Sequence, residues 1–255
     1  MPSHDLTSLL GDWPYQPGQL AVRLIEGDDG RQKIQIRLDL GLLQLEAEGR
    51  PDGQRPHGFE SLLDWHEARL EERLAEGDDP AEFSLDADAC RALREEASQY
   101  YHRYVALYVL EDLEGVLRDT TRNLRVVEFI ERHAQRDEDR DAVAEFRPYL
   151  VMMRGRALAG LAIREREPKA AILAIDDAIS AIRAHYADAG EPDAAGDSSE
   201  IRLLEGMKES LVPKLPASPE AELRDRMNRA IEQENYELAA ILRDELRAMG
   251  GSAPQ

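Results

Sequence analysis

The hydrophobic period of this chain changes once, and that change constrains the fold more than any other feature. Over residues 20–47 apolar side chains such as Ile34 and Ile36 alternate with polar ones, which is the period of a strand with one buried face. Over residues 84–186 apolar side chains recur every three or four positions, the period of amphipathic helices. We therefore predict an α+β protein, mostly α, in which a small N-terminal sheet with a helix precedes a helical bundle.

A glycine-rich turn divides the alternating region. Gly27-Asp28-Asp29-Gly30 separates the first two apolar runs, and an Asp-Gly pair at that position is typical of a β-hairpin because the turn requires positive φ angles. Leu43 and Leu45 predict a third strand. A helix is expected to begin near Phe59 and to cover the sheet.

The helical region contains one helix pair with a repeat-like pattern. It begins near Phe146 and turns at Glu167-Pro168. Its small and apolar positions resemble the spacing of a tetratricopeptide repeat: Leu158, Ala159, Ala162, Ala171, Ile175 and Ala178. The charged stretch 135–141 reads as a connector or helix end.

We predict four segments: a β-containing domain at 1–79, a repeat-like helical domain at 84–187, an acidic then proline-containing linker with a short helix at 188–217, and a helical hairpin at 218–250.

Composition narrows the function classes. The 255 residues carry a net charge of −20, which repels the nucleic-acid backbone, so direct nucleic-acid binding is disfavoured. Cys90 is the only cysteine, so no intramolecular disulfide forms.

No apolar run reaches the about 20 residues of a membrane helix and no secretory signal is present, so we expect a cytoplasmic protein with no membrane contact. No phosphate-binding glycine loop or nucleophile motif is found, and the histidines are dispersed. We predict no catalytic residues, metal or cofactor.

Two segments carry a candidate anion or peptide site. The first is a loop rich in Gly and Pro that contains Arg50, Arg55 and His57, and the second is a helical segment with Arg118, Asp119, Arg122 and Asn123. In the second segment Arg118 and Arg122 lie one helical turn apart, as do Asp119 and Asn123, so the cations can hold a phosphate or carboxylate. The simpler interpretation, a connecting loop and a salt-bridged network between helices, is favoured for both.

The last segment predicts an antiparallel helical hairpin. Ser218 followed by Pro219 is a helix start signal, Asn235 is the expected cap of a second helix, and Gly250 is its expected end. About thirty residues cannot bury a full core, so the hairpin is expected to bind a partner. The candidate partner-binding residues are Leu223, Met227, Ala230, Ile231, Tyr236, Ala239, Ala240, Leu242, Arg243, Asp244 and Leu246.

These residues resemble the UVR motif shared by the repair proteins UvrB and UvrC, ClpC-type chaperone subunits and the McsA adaptor family. The pattern is Leu223-x-x-x-Met227-x-x-Ala230, then Tyr236-Glu237-x-Ala239-Ala240-x-x-Arg243-Asp244-x-Leu246, with Tyr where the family often has Phe. The helicase, nuclease, nucleotide-binding and paired-cysteine motifs of those proteins are missing from this sequence.

The resemblance implies a bacterial adaptor or scaffold that pairs with a protein through the hairpin, such as another UVR-containing protein. DNA excision repair and protein quality control are the processes it indicates. The resemblance also implies that Arg243 and Asp244 set the geometry of the hairpin or form ion pairs with the partner. The alternative is a ligand-binding or catalytic protein that uses a cationic pocket formed by the 50–57 loop and the 118–123 helix.

Overall fold

The computed structural model describes residues 6–77, 79–212 and 218–250 and divides the chain into two compact units, 1–206 and 207–255. The fold is mostly α with one small antiparallel sheet, as predicted. In chain order the elements are α1 (Thr7–Gly11), β1 (Val22–Glu26), β2 (Gln32–Arg37), β3 (Leu42–Glu46), α2 (Leu62–Glu76), α3 (Ala87–Val109), α4 (Leu113–His133), α5 (Asp137–Ala144), α6 (Arg147–Arg164), α7 (Pro168–Asp188), α8 (Ser199–Leu211), α9 (Pro219–Glu232) and α10 (Tyr236–Gly250).

The sheet has the strand order β1-β2-β3, with both neighbouring pairs antiparallel. Ile34 in the central strand lies opposite Leu24 on one side and Leu45 on the other. The first turn closes where the glycines predicted it, with a 2.8 Å hydrogen bond from the Gly27 amide to the Arg31 carbonyl and a φ of 73° at Gly30. The hairpin and the third strand are therefore confirmed.

The central strand differs from the half-buried pattern, because Lys33, Gln35 and Arg37 are buried as well as the isoleucines beside them. Gln35 accepts a hydrogen bond from Arg23 at 2.8 Å and donates one to Gln44 at 2.8 Å. Lys33 pairs with the carboxylates of Asp29 and Glu46. Arg37 donates to backbone carbonyls of Trp13 and Gly41. Polar side chains can be buried when each forms a hydrogen bond or an ion pair. The polar side chains on this face of β2 form such contacts.

The core of the N-terminal unit lies between successive helices. Helix α3 packs against β2 and α4, α4 packs against α6, and α6 packs against α7. Burial of apolar side chains at helical spacing stabilises this arrangement. The side chains almost without exposure include Leu93, Tyr104, Val116, Ile130, Ala157, Ile175 and Ile182.

Three helix pairs share one kind of turn. In each, the residue after the first helix cap has a left-handed φ of about 60°, and the amide of the next residue bonds to the carbonyl five positions earlier, at 2.8 or 2.9 Å. This is the Schellman arrangement, which satisfies the terminal carbonyls of a helix. The left-handed residues are Glu111 between α3 and α4, Arg166 between α6 and α7, and Glu234 between α9 and α10.

Helices α6 and α7 approach closely through small residues. A Cβ atom added to Gly155 would lie 2.6 Å from the Cβ atom of Ala178, which is closer than two non-bonded carbon atoms tolerate. Ala159 and Ala171 in the same pair are completely buried. This close packing agrees with the small-residue spacing in the sequence, and the tetratricopeptide-like classification stays a prediction.

The charged stretch 135–141 differs from the expected connector or helix end, because α5 begins at Asp137 and includes five of its seven residues. Asp139 is buried there and accepts ion pairs from Arg94 at 2.9 Å and Arg136 at 2.8 Å. These two arginines hold the pKa of Asp139 at about 2, so it stays ionised. Ion pairs of a buried carboxylate can therefore hold a helix against its neighbours even when its charged composition is typical of a solvated linker.

Beyond α7 the chain makes a short 3-10 turn, Pro192–Asp197, and then α8, which is the short helix predicted inside the 188–217 segment. Pro213 and Pro216 lie outside the described residues. The four domain boundaries stay a prediction. Within the described ranges, no helix is both long and apolar enough to cross a membrane, and the cytoplasmic location stays a prediction.

Candidate functional site

The C-terminal hairpin begins at the predicted cap. The Ser218 hydroxyl accepts a 3.1 Å hydrogen bond from the amide of Ala221, and Glu220 and Glu222 occupy the first turn of α9. Carboxylates there interact favourably with the positive end of the helix dipole. At the far end, the Asn235 side chain accepts a 3.2 Å hydrogen bond from the amide of Leu238 and so caps α10. Each helix of the hairpin therefore starts at a side chain that its sequence supplies.

Five apolar residues close the hairpin. Ala230, Ala239 and Leu242 are buried, and Leu223 and Met227 pack against them. The two alanines allow the helices to approach closely, since neither carries an atom beyond Cβ. All five were predicted to bind a partner, but they point into the hairpin itself. Their place in the structure gives them a role in holding the two helices together.

Four further apolar side chains of the hairpin, one on α9 and three on α10, are exposed to solvent. Ile231 is 48% exposed, Tyr236 67%, Leu238 39% and Ile241 53%. Ile231 and Tyr236 belong to the predicted set, whereas Leu238 and Ile241 were missing from it. The spacing of Leu238 and Ile241, three positions apart on α10, is the sequence signal that identifies them. We call these four side chains the outward stripe.

The charged positions of the predicted set lie on the surface of α10. Arg243 and Asp244 pair with each other at 2.9 Å, and Arg247 lies 3.9 Å from the same carboxylate. All three side chains are more than half exposed, where an ion pair contributes about 0 to 1 kcal/mol. Ala240 and Leu246 are partly buried. The Arg-Asp pair therefore contributes little to the hairpin's stability and remains accessible.

The comparison with family models decides what this hairpin resembles. Residues 221–251 match the UvrB/uvrC motif, UVR. The match includes nearly all of α9 and α10, so the hairpin is referred to below as the UVR hairpin. No curated protein and no solved structure matches the chain. The family assignment therefore concerns this segment and does not extend to the N-terminal unit.

The second candidate site lies in the N-terminal unit and centres on Glu96, which is completely buried. One of its carboxylate oxygens accepts hydrogen bonds from Arg50 Nε and from the Leu62 amide, each at 2.8 Å. The other oxygen pairs with Arg122. Glu96 thus joins the 50–57 loop, the start of α2 and helix α4 at one point.

A second buried pair lies beside it. Arg103 Nε and Nη2 donate to the two oxygens of Asp119 at 2.7 and 2.8 Å, and both side chains are 1% exposed. Arg103 also donates to the carbonyl of Gly49 at 2.7 Å, and Arg118 donates to Asp119 at 3.0 Å. Bidentate geometry of this kind is the strongest form of ion pair. We call the set of Arg50, Glu96, Arg103, Arg118, Asp119 and Arg122 the arginine network.

The structure brings five of the seven predicted anion-site residues together. Asn123 joins the network by accepting from Arg122 at 3.1 Å and donating to the Ala97 carbonyl at 2.9 Å. His57 instead stacks on Trp65 with a centroid distance of 3.9 Å, and Arg55 is exposed. Glu96 and Arg103 were missed, because a buried charged residue inside a long helix has no distinctive sequence pattern.

The cleft over the arginine network has a volume of about 590 Å³. Five carboxylates line the cleft together with the arginines, namely Glu48, Glu60, Asp64, Glu114 and Asp119, and Glu48 and Asp119 pair with Arg118. A guanidinium that already holds a carboxylate has fewer donors left for a ligand. This arrangement favours a structural role for the network, and the anion-site interpretation stays a prediction.

Metal and thiol chemistry are not indicated by the described residues. Among them, no group of three or more His, Cys, Asp or Glu side chains is placed to hold a metal ion. Cys90 is completely buried, and burial raises the pKa of its thiol to about 11. A thiol with such a pKa is protonated at neutral pH and is a poor nucleophile.

Proposed function

We propose that this chain is a non-enzymatic adaptor that binds a protein partner through its UVR hairpin. The observation that carries the proposal is the outward stripe: a hairpin of about thirty residues closes its own interior with five apolar side chains and still exposes four more. Several exposed apolar side chains on a small helical element are typical of an interaction surface.

The family match supports the same proposal. The motif is named for UvrB and uvrC, so a partner carrying a second UVR hairpin is the leading candidate, and bacterial excision repair is the process that the name indicates. Protein quality control, the other process indicated by the sequence resemblance, is the second candidate. Two hairpins of this type can pair in a four-helix arrangement and so cover part of their exposed apolar side chains.

The N-terminal unit contributes a rigid scaffold in this proposal. Its arginine network ties the loop after the sheet to α3 and α4 through buried, bidentate contacts. A buried charge that satisfies several partners at once restricts the packing of the elements around it.

The test is partner recovery by the full-length chain carrying single substitutions. Ile241→Asp places a charge in the outward stripe at a side chain that is 53% exposed and is not one of the five that close the hairpin, and we expect at least a tenfold loss of the co-purifying partner. Leu173→Asp is the matched control, because Leu173 on α7 is 61% exposed and lies outside the hairpin. Equal recovery by the two variants would contradict the proposal.

A further inference from the structure

The N-terminal unit contains an apolar pocket that the proposed function does not use. It lies among α3, α4, α5 and the start of α6 and has a volume of about 440 Å³. Its walls include Ala97, Val126, Val127, Val143 and Leu150. Small-molecule sites typically have volumes of about 300 to 1,000 Å³ and walls that are mostly apolar, so this pocket has the size and the wall chemistry of a ligand site.

Aromatic rings surround the mouth of the pocket. Phe146 is 59% exposed and Tyr101 is 41% exposed, and both line it. The ring of Tyr101 lies edge-on to Tyr104 at 5.5 Å and is tilted against Tyr149 at 6.1 Å. The exposed rings of Tyr101 and Phe146 offer edges and faces on which a further aromatic ring can stack offset or edge-to-face. The mouth therefore favours a ring-bearing molecule over a straight alkyl chain.

The pocket presents polar groups but no free charge. Arg94 is the one charged residue among the described lining residues, and it pairs with Asp139 at 2.9 Å. Both polar ends of Asn123 are already occupied by Arg122 and the Ala97 carbonyl. Tyr101, Tyr104 and Tyr149 belong to the lining, and burial raises the pKa of the Tyr104 and Tyr149 hydroxyls. The Tyr104 and Tyr149 hydroxyls therefore stay protonated at neutral pH, and a tyrosine hydroxyl can donate or accept a hydrogen bond.

From this geometry we propose that the pocket binds a neutral small molecule built on an aromatic ring system with one hydrogen-bonding group. The ring lies between the apolar walls and the Tyr101 and Phe146 side chains. The polar group meets the tyrosine hydroxyls. A charged molecule is disfavoured, because burying its charge beside an arginine that is already neutralised would leave that charge unpaired.

The test uses two fluorescent probes that share one ring system, with the full-length chain. N-phenyl-1-naphthylamine is neutral, and 8-anilino-1-naphthalenesulfonate is the same skeleton with a sulfonate. We expect the neutral probe to bind saturably with one site per chain, and at least tenfold more tightly than the charged one. Tighter binding of the sulfonate, or non-saturable binding of the neutral probe, would overturn the proposal.

Matched substitutions locate the site. Ala97→Trp fills the pocket from α3 and is expected to weaken binding of the neutral probe at least tenfold. Ala174→Trp makes the same change at another partly buried alanine, in the groove between α6 and α7, and should leave binding unchanged. Tyr101→Ala removes part of the mouth rather than filling the pocket, and should weaken binding at least fivefold. Undiminished binding by Tyr101→Ala, or by a folded Ala97→Trp variant, would refute the assignment.

Discussion

Replacement of Asp119 by alanine probes the arginine network at its most buried point. Asp119 accepts both hydrogen bonds of the bidentate pair with Arg103 and one more from Arg118. The substitution leaves the Arg103 guanidinium 1% exposed, still held by the Gly49 carbonyl but without a counter-charge.

The expected magnitude follows from that burial. Removing one partner of a buried ion pair costs about 3 to 5 kcal/mol, because the remaining charge is left uncompensated. An exposed pair provides the scale for comparison: Arg183 and Glu205 lie 3.2 Å apart with side chains 58% and 48% exposed, and Glu205→Ala should cost less than about 1 kcal/mol. Exchanging both buried partners, as Arg103→Met with Asp119→Leu, should cost less than the sum of the two single changes.

The assay is urea unfolding followed by tryptophan fluorescence. Trp13 and Trp65 are the two tryptophans of the chain, and both belong to the N-terminal unit, so the signal reports that unit and not the hairpin. A loss below about 1 kcal/mol for Asp119→Ala, equal to that of Glu205→Ala, would refute the claim that the network holds the unit together. Additive costs in the double variant would refute the coupling.

Three further predictions concern single residues. Burial lowers the pKa of His66 to about 4 from an unfolded value of 6.5, so the unfolded chain takes up the proton first and stability falls as pH drops from 7 to 5. The loss of stability between pH 7 and pH 5 should be about 2 kcal/mol. In His66→Leu the urea midpoint should lose this part of its pH dependence, and an unchanged pH dependence would contradict the role assigned to His66. Glu234→Gly should relieve the left-handed strain at the hairpin turn by about 1 kcal/mol, seen as roughly fivefold slower hydrogen exchange in α9 and α10, whereas Glu234→Ala keeps the strain and should show no gain. Gly155→Ala should destabilise the N-terminal unit by about 2 kcal/mol through the clash with Ala178, while Gly206→Ala, with no atom within 4 Å of the added Cβ, should stabilise α8; the same sign for both in thermal unfolding would be inconsistent with the packing described.

Local signals in the sequence were sufficient to predict much of the fold. The turn at Gly27 to Gly30, the cap at Ser218 and the cap at Asn235 each depend on residues within four positions of one another. Such short-range chemistry does not need tertiary context. The helical period predicted the hairpin for the same reason.

Features that depend on distant residues were beyond sequence reasoning. Glu96 meets Arg50 from 46 positions away, and nothing in either local pattern indicates the contact. The buried polar face of β2 and the start of α5 at Asp137 also require partners from other elements. In the hairpin, the period identified most of the apolar residues but could not separate those that close it, such as Leu242, from those that face outward, such as Ile231.

The central claim is that the outward stripe of the UVR hairpin binds a protein partner. Hydrogen exchange of the full-length chain, measured with and without the partner that co-purifies with it, tests this most directly. We predict at least tenfold slower exchange of amides in residues 230–242 when the partner is bound, with little change in residues 147–188. Protection confined to the N-terminal unit, with unchanged exchange in the hairpin, would contradict the claim.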